Sequence, residues 1–338
     1  MRRALLTLAL ILLLPSCRPP GRTPLTHHES RTFSAAAGKL VRCDLRSLDL
    51  EVEVREGDTI TATVDLEVSA SSSGLARRWI ENHTPTFTDG AEALEISVPS
   101  GRRTSLVLGQ LRTHGTIVLT VPPQCRIEVD SSSGDISIEG RAPLAGPVRL
   151  TTSSGDAEIS GGVGELIMHS SSGDLQVDRT ALGRLEFESS SGDVRVRSGC
   201  GNALVDTSSG EVRLHDLEGS LSADTSSGDV VVSWASVPGG GVRVSSTSGD
   251  VDLELPANVT LRGDVATSSG ELRSDFPATS ERRGRRLTLN GGSGAIEVEI
   301  RTTSGDVHLR QGDETATSGA APTPATPAEK SAEHKVEL

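Results

Sequence analysis

The sequence predicts an all-β fold, a single-stranded β-helix (solenoid), from a repeated tetrad, alternating hydrophobicity around it and a scarcity of aromatic residues. The tetrad Ser-Ser-Gly-Asp, or a close variant, occurs nine times between residues 131 and 306. Its glycines, the expected structural corners, are Gly134, Gly155, Gly173, Gly192, Gly210, Gly228, Gly249, Gly270 and Gly305. The first eight follow one another at intervals of 18 to 21 residues. A period of this length is typical of stacked supersecondary units.

Each repeat predicts two strands that meet at the tetrad. Apolar residues stand seven and five positions before the glycine and two and four positions after it, as in Leu166, Met168, Leu175 and Val177 around Gly173. Alternation with period 2 indicates a strand with one buried face. Repeats stacked at the usual strand spacing of ~4.8 Å would enclose a thin continuous core. Such a core has little room for aromatic side chains, which make up only 2% of the chain.

The corner residues predict their own local chemistry. Glycine suggests a turn with positive φ, which a Cβ would penalise. A Ser or Thr always stands three positions before it, from Ser131 to Thr302, and its hydroxyl is expected to face inward and bond the hydroxyls of neighbouring repeats. The last repeat follows a degenerate corner at Gly294 after only 11 residues, which suggests an atypical terminal repeat capping the sheet edge.

An acidic residue follows every corner glycine and has two interpretations. Stacked carboxylates could form weak Ca²⁺ sites, because hard cations prefer oxygen ligands. Alternatively, each carboxylate accepts hydrogen bonds from nearby backbone N–H groups, as Asp does in turns. Glu in place of Asp at Glu211 and Glu271 favours the second interpretation, since coordination depends on side-chain length. The weak metal candidates are Asp135, Asp156, Asp174, Asp193, Asp229 and Asp250.

The N-terminus is typical of an exported lipoprotein. Arg2 and Arg3 precede an apolar stretch over 4–14 that is too short to span a bilayer. Leu-Pro-Ser-Cys at 14–17 is similar to a bacterial lipobox, which predicts lipid attachment at Cys17. The alternative is ordinary cleavage near residue 16, with the cysteine incidental. Arg18 replaces the Asp that retains some lipoproteins in the inner membrane, so an outer-membrane location is expected, facing either the periplasm or the cell surface.

The chain divides into five predicted parts. Residues 1–16 are the lipoprotein signal peptide and 17–30 a tether; 31–125 form the N-terminal strand-rich part of the solenoid, with a helix over 75–81; 126–310 form the repeat β-helix and 311–338 a disordered tail. An apolar loop over 102–111 is expected to cover the open side of the solenoid; the alternative is that it contacts a partner. Removing 1–16 lowers the net charge from −13 to −15, because Arg2 and Arg3 are lost with no acid. This acidity argues against nucleic acid or anionic lipid as partner.

The remaining reactive residues indicate neither catalysis nor a cofactor. His169, His215 and His308 stand in separate repeats, and Trp234 is nearly the only aromatic residue available as a sugar platform. The spacing of Cys43, Cys125 and Cys200 matches no zinc motif; the first two could pair, but their odd number argues against a disulfide framework. The basic cluster of Arg282, Arg283, Arg285 and Arg286 could grip a phosphate or an acidic glycan, although a polar loop is the simpler interpretation.

The chain resembles the bacterial putative-adhesin family of β-solenoid domains, a family of unknown function. The resemblance rests on the strand pair near 48–68, the helix near 75–82, Leu-Thr-Val-Pro-Pro at 119–123 and the Ser-Ser-Gly-Asp-Val corners. It implies no catalytic residues. We therefore expect a lipid-anchored, non-enzymatic envelope solenoid that acts as an adhesin or binding scaffold for an unknown protein or glycan. The alternatives are a periplasmic envelope-stress or regulatory partner protein and a polysaccharide-active β-helix enzyme.

Overall fold

Alternating apolar residues fold the chain into strands over almost its whole described length. The computed structural model describes residues 23–99 and 111–312. The N-terminal strands are β1 (Thr23–Ser34), β2 (Leu40–Arg46), β3 (Asp49–Val54), β4 (Thr59–Ala70), β5 (Thr86–Asp89), β6 (Ala93–Ser97) and β7 (Arg112–Val121). Helix α1 (Ser73–His83) lies between β4 and β5.

The repeat region contributes strands in pairs, one on each side of a corner. They are β8 (Arg126–Ser131), β9 (Ile136–Gly140), β10 (Val148–Thr152), β11 (Ala157–Ile159), β12 (Glu165–Ser170), β13 (Leu175–Val177), β14 (Leu182–Ser189), β15 (Val194–Val196), β16 (Cys200–Thr207), β17 (Val212–Leu217), β18 (Leu221–Thr225), β19 (Val230–Trp234), β20 (Val242–Ser246) and β21 (Val251–Pro256). The last six are β22 (Leu261–Thr267), β23 (Leu272–Ser274), β24 (Ala278–Glu281), β25 (Arg286–Asn290), β26 (Ile296–Thr302) and β27 (Val307–Gly312), with a turn at Arg282–Gly284 between β24 and β25.

The strands stack into two sheets, which confirms the predicted β-solenoid. Sheet 1 runs β5-β6-β2-β8-β10-β12-β14-β16-β18-β20-β26-β22-β25-β24, and sheet 2 runs β1-β4-β7-β3-β9-β11-β13-β15-β17-β19-β21-β27-β23. Each coil consists of one strand of each sheet and the corner between them. Eleven coils stack in parallel register, from β6–β7 at the N-terminal pole to β22–β23 at the C-terminal pole.

The core is the thin space between the two sheets. Burial alternates along the strands as predicted, so that Leu185 and Phe187 face inward from β14 while Val194 and Val196 face inward from β15. Phe187 is only 1% exposed and is among the largest fully buried side chains. Each inward aliphatic side chain contributes ~1.5–3 kcal/mol relative to an exposed one.

The order of the coils along the chain differs from their order in the stack at both poles. The first coil of the sequence, β2–β3, lies second in the stack, between β6–β7 and β8–β9. The last coil of the sequence, β26–β27, lies between β20–β21 and β22–β23. The prediction that the last repeat caps the sheet edge is therefore wrong, because coils on both sides cover it.

Antiparallel strands close both poles. At the N-terminal pole, β4 pairs with β7, β1 with β4, and β5 with β6. At the C-terminal pole, β25 pairs with β22 and β24 with β25. Gly294, the predicted degenerate corner, has φ of +88° and lies in the turn between β25 and β26. It joins an antiparallel strand to a coil, so it is not a corner of the stack.

The structure corrects two predicted boundaries. Strand β1 begins at Thr23, so residues 23–30 of the predicted tether pair with β4 instead. Helix α1 is longer than 75–81 because the Ser72 side chain accepts a hydrogen bond from the backbone N–H of Leu75 at 3.3 Å and caps its N-terminus. The predicted signal peptide, Cys17, most of the 102–111 loop and the tail beyond residue 312 lie outside the described residues. Within the described ranges, no helix is long and apolar enough to span a membrane.

Ending the chain at Asn290 should destabilise the protein more than the loss of an outermost coil normally does. It removes β26–β27 from between two other coils, including the buried side chains Val298, Ile300, Val307 and Leu309. At ~1.5–3 kcal/mol for each buried side chain, we expect the melting temperature to fall by at least ~10 °C. Thermal denaturation followed by circular dichroism measures it. The control ends after Gly312; equal melting temperatures for the two truncations would contradict the interleaved order.

Candidate functional site

The same hydrogen bond forms at all nine corner glycines. The hydroxyl of the inward Ser or Thr accepts the N–H of its own corner glycine at 2.6–3.1 Å. Most of these hydroxyl residues are at least 91% buried, as with Thr207 at 2% exposed. The prediction that hydroxyls of neighbouring repeats bond one another is wrong; each instead satisfies a buried donor within its own turn, as Ser and Thr do in tight turns.

The corner glycines are required for close backbone approach rather than for positive φ. None of the nine has a positive φ, which corrects the prediction from the sequence. A Cβ on Gly192 would lie far inside van der Waals contact with the carbonyl oxygen of Gly173, and the other corners show the same overlap with the corner beside them. Each corner backbone therefore rests directly on its neighbour, and any side chain there would force the two coils apart.

The acidic residues after the glycines form a column of hydrogen bonds, called here the carboxylate ladder. The Oδ1 atom of Asp135 accepts the backbone N–H of Asp156 at 3.0 Å, and Asp174 accepts that of Asp193 at 2.8 Å. Eight such bonds, of 2.7–3.0 Å, link successive coils. This geometry supports the backbone-bonding interpretation, because one carboxylate oxygen is already used in each.

The two glutamates stand where the ladder ends or is interrupted, since among the described residues no hydrogen bond joins the Glu211 carboxylate to the N–H of Asp229. Glu271 lies on the last coil and only donates its N–H, to Asp306 at 2.7 Å. Glu211 instead contacts Arg195, at 3.5 Å, and Arg213. The ladder also begins one coil earlier than the tetrads indicate, since Asp49 accepts the N–H of Asp135 at 3.0 Å. The Arg-Ser-Leu-Asp segment at 46–49 lacks the glycine that would have revealed this corner.

The carboxylates give no support to the calcium hypothesis. Across residues 23–99 and 111–312, no three His, Cys, Asp or Glu side chains are grouped so that they could hold a metal ion. A shallow groove of about 450 Å³ does follow the ladder on sheet 2, lined by Asp49, Asp135, Asp156, Asp174 and Glu158 among others. Arg195 closes one end of it, 2.8 Å from Asp193.

The structure does not bring the three candidate histidines together. His169 Nδ1 lies 2.9 Å from Glu188 and His215 Nδ1 lies 3.4 Å from the Ser233 hydroxyl, on different sheets. His308 lies on β27, in register between Asp252 and Arg273. Trp234 is 6% exposed, and its indole N–H donates to the Gly219 carbonyl at 3.1 Å, so it offers no platform for a sugar ring.

The nearest arrangement to a catalytic triad is one that the sequence did not reveal. The hydroxyl of Thr116 lies 3.3 Å from His114 Nε2, but Nδ1 of the same ring lies 3.9 Å from Asp49. The second distance is too long for a hydrogen bond. The side chains of His114 and Asp49 are 70% and 40% exposed, so solvent surrounds the group. Its geometry does not orient a general base.

The three cysteines within the described residues are buried free thiols. Cys43 pairs in register with Val129, whereas Cys125 lies just before β8, so the predicted candidates for a disulfide do not face each other. Burial raises the pKa of both Cys43 and Cys200 to about 12, which keeps them protonated and unreactive at neutral pH.

Of the four clustered arginines, three lie in the loop between β24 and β25, and Arg286 is the first residue of β25. Arg286 bonds Asp264 at 2.9 Å, and this guanidinium lowers the pKa of the Asp264 carboxyl. Arg282, Arg283 and Arg285 are exposed, and no ion pair joins them to another described residue. A second groove, of about 430 Å³, lies nearby on sheet 1 and is lined by Arg243, Arg262 and Arg301.

Two stacked sheets joined at glycine corners define a single-stranded β-solenoid, and the match to a family profile agrees. The Toastrack DUF4097 family profile matches residues 43–310, so the chain belongs to this family, whose function is unknown. A search of curated proteins found no match.

Several solved structures are similar to the chain, among them the following three. A putative lipid binding protein from Parabacteroides distasonis ATCC 8503 is 13% identical, with 84% of this chain and 97% of that chain covered and a TM-score of 0.48. A putative adhesin from Parabacteroides merdae ATCC 43184 is 9% identical, covers 83% and 95%, and has a TM-score of 0.46. A putative cell adhesion protein from Clostridium sporogenes ATCC 15579 is 12% identical, covers 85% and 100%, and has a TM-score of 0.25.

Replacing a corner glycine with alanine should destabilise the protein although φ permits it. In Gly192→Ala, the new methyl group meets the Gly173 carbonyl, and overpacking of this kind costs ~1–3 kcal/mol. The control is Gly57→Ala, where a Cβ meets nothing within 4 Å. Urea denaturation measures both free energies of unfolding. A corner variant as stable as the control would contradict the close-approach explanation.

Removing one acceptor from the carboxylate ladder should lower the free energy of unfolding by less than a corner substitution does. An amide oxygen at the same position should take the place of the carboxylate oxygen as acceptor. Asp174→Ala leaves the part-buried N–H of Asp193 without its 2.8 Å partner, which we expect to cost ~1 kcal/mol. Asp174→Asn keeps an oxygen acceptor and should recover most of the loss. Urea denaturation of both variants measures the difference. Equal losses in the two variants would show that the carboxylate charge, not the hydrogen bond, stabilises the column.

Proposed function

We propose that this protein is a lipid-anchored, non-enzymatic binding scaffold of the bacterial cell envelope that acts as an adhesin. The observation that supports this most is the difference between the corners and the outer faces of the sheets. The corners repeat the same contacts, whereas the outward side chains change from coil to coil. On sheet 2, Gln176, Arg195, Arg213 and Val231 follow one another in register. Such faces provide a long, rigid and chemically varied surface for a partner.

The absence of catalysis is supported by the same outward faces. About half of the described carboxylates serve the ladder or pair with arginine, and the candidate histidines lie apart. Paired carboxylates that act as acid and base in glycosidases need differing environments that separate their pKa values. The acidic groove on sheet 2 is open, and its aspartates occupy equivalent corner positions. That uniformity suits recognition of a surface better than proton transfer.

The position of β1 supports an anchor at the N-terminal pole. If Cys17 carries the lipid, the five residues 18–22 separate it from Thr23, the first residue of β1. An extended segment of that length spans at most ~20 Å. The N-terminal pole would therefore lie next to the membrane, with the remaining coils projecting away and both outer faces accessible. A multiply acylated cysteine provides stable anchorage, since each buried methylene contributes ~0.8 kcal/mol.

The experiment that tests the proposal combines lipid labelling with protease accessibility. Cells expressing the protein are fed an alkyne fatty acid, and the labelled protein is detected after click coupling. We expect the label on the wild type, its loss in Cys17→Ser and its retention in Arg18→Ser, which keeps the cysteine. Release of Cys17→Ser into the soluble fraction would accompany the loss of label. Label that persists without Cys17 would refute the anchor.

Digestion of intact cells decides where the anchored protein faces. An adhesin must be exposed on the cell surface, so added protease should remove it from intact cells while a periplasmic control protein survives. Protection until the outer membrane is permeabilised would refute the adhesin role. The periplasmic scaffold or envelope-stress partner would then become the better hypothesis.

A further inference from the structure

The loop at the C-terminal pole holds its backbone in an unfavourable conformation. Arg282 and Arg283 have φ of +54° and +61°, followed by Gly284 at +83°. Residues with a Cβ rarely adopt the left-handed region, and neighbouring residues that do so concentrate at functional sites. The loop belongs to the β24–β25 hairpin, the outermost pair of sheet 1, and all four residues of β24 are exposed. Positive φ is usual in tight hairpin loops, so this conformation follows from the turn between β24 and β25.

The effect of this conformation is to present guanidinium groups to solvent. Arg282, Arg283 and Arg285 are all exposed, and within the described chain none of them forms an ion pair. Most other arginines on the outer faces have a carboxylate partner, as Arg310 has in Asp252. Three uncompensated positive charges in one short loop are unusual on a chain whose net charge is −13.

The loop continues into the groove of about 430 Å³ on sheet 1. Arg286 bonds Asp264, which lines the groove, and Arg286 and Arg301 lie in register on either side of Ala266. The side chains of Arg243, Arg262 and Arg301 are 53–71% exposed even though each has a carboxylate partner. The other lining residues of the groove include Ser220 and Ser222 and the carboxylates Glu297 and Glu299, which pair with Arg262 and Arg243. An extended ligand could thus contact the loop and the groove together.

We propose that the β24–β25 loop and the adjoining groove form a site for an acidic polysaccharide, bound through its carboxylate or sulfate groups. This inference rests on the proposed function, since it names the ligand class of the scaffold. Guanidinium groups bind both kinds of anion through paired hydrogen bonds. A membrane surface fits less well, because residues 281–286 include no apolar side chain that could enter the lipid. The acidic coils beneath the site would keep a polyanion at this pole.

The test measures binding of labelled dextran sulfate and polygalacturonate to the full-length protein in non-ionic detergent, with unmodified dextran as the neutral control. Both polyanions should bind, and binding should weaken as salt rises from about 50 to about 300 mM. The variant Arg282→Ser/Arg283→Ser/Arg285→Ser should bind at least ~10-fold more weakly, through the loss of charge-assisted hydrogen bonds. Its melting temperature establishes that it is folded.

A matched variant separates this site from general electrostatics. Arg77→Ser/Arg78→Ser/Arg112→Ser removes three exposed arginines from the opposite pole and changes the net charge equally. It should bind the polyanions within ~2-fold of the wild type. Equal losses in both triple variants, or no binding of either polyanion by the wild type, would overturn the proposal. So would selective binding to phosphatidylglycerol vesicles. None of these results affects the lipid-labelling or protease tests, because those tests depend only on lipid attachment at Cys17 and on exposure of the protein at the cell surface.

Discussion

Direct contact between corner backbones is the constraint on which the rest of the structure depends. Each corner glycine lies against the carbonyl of the neighbouring corner, with no room for a Cβ. That contact sets the coil spacing at the corner, and the carboxylate ladder can form only at that spacing. The inward Ser or Thr completes the turn by accepting the glycine N–H, which would otherwise be a buried donor without a partner. The glycine and the acidic residue of the tetrad, and the Ser or Thr directly before it, thus have separate roles that require one another.

Repulsion between its negative charges would make the carboxylate ladder unfavourable if no other interaction opposed it. Two carboxylates one coil apart, ~4.8 Å, repel by ~1 kcal/mol in water and by several times that at the lower effective dielectric of a protein surface. A hydrogen bond from N–H to a charged acceptor contributes ~1.5–3 kcal/mol, which is of the same order. Partial exposure to water and neighbouring arginines shift the balance. Arg195 lies between Asp193 and Glu211, at 2.8 and 3.5 Å, in the middle of the column.

The sequence predicts the coil but not the order of coils. Alternation on both sides of Gly173 correctly gives the inward residues, because burial of a strand face is a local property. The order of stacking is not local: all corners are chemically alike, so nothing in the period shows that Gly305 lies between Gly249 and Gly270. The sequence does not predict strand β1, because the positions on its inward face include His27, Glu29 and Arg31. An edge strand tolerates charged residues at such positions, whereas a central strand would not. Of the candidate sites, the acidic column and the arginine cluster are visible in the sequence. The groove that joins the cluster to sheet 1 is not, because it brings together strands far apart in the chain.

The interleaved coils also bear on how the C-terminal pole can present a charged loop. A terminal coil that simply followed its neighbour would be held on one side only, and a strained hairpin attached to it would tend to fray. Here the terminal coil β22–β23 rests on β26–β27, which the chain adds after the hairpin is complete. The hairpin is therefore tied to the stack at both of its ends. A backbone in the left-handed region at Arg282 and Arg283 persists only where surrounding structure determines it, and this connection provides that restraint. The same topology that buries the last coil thus allows the loop to remain exposed.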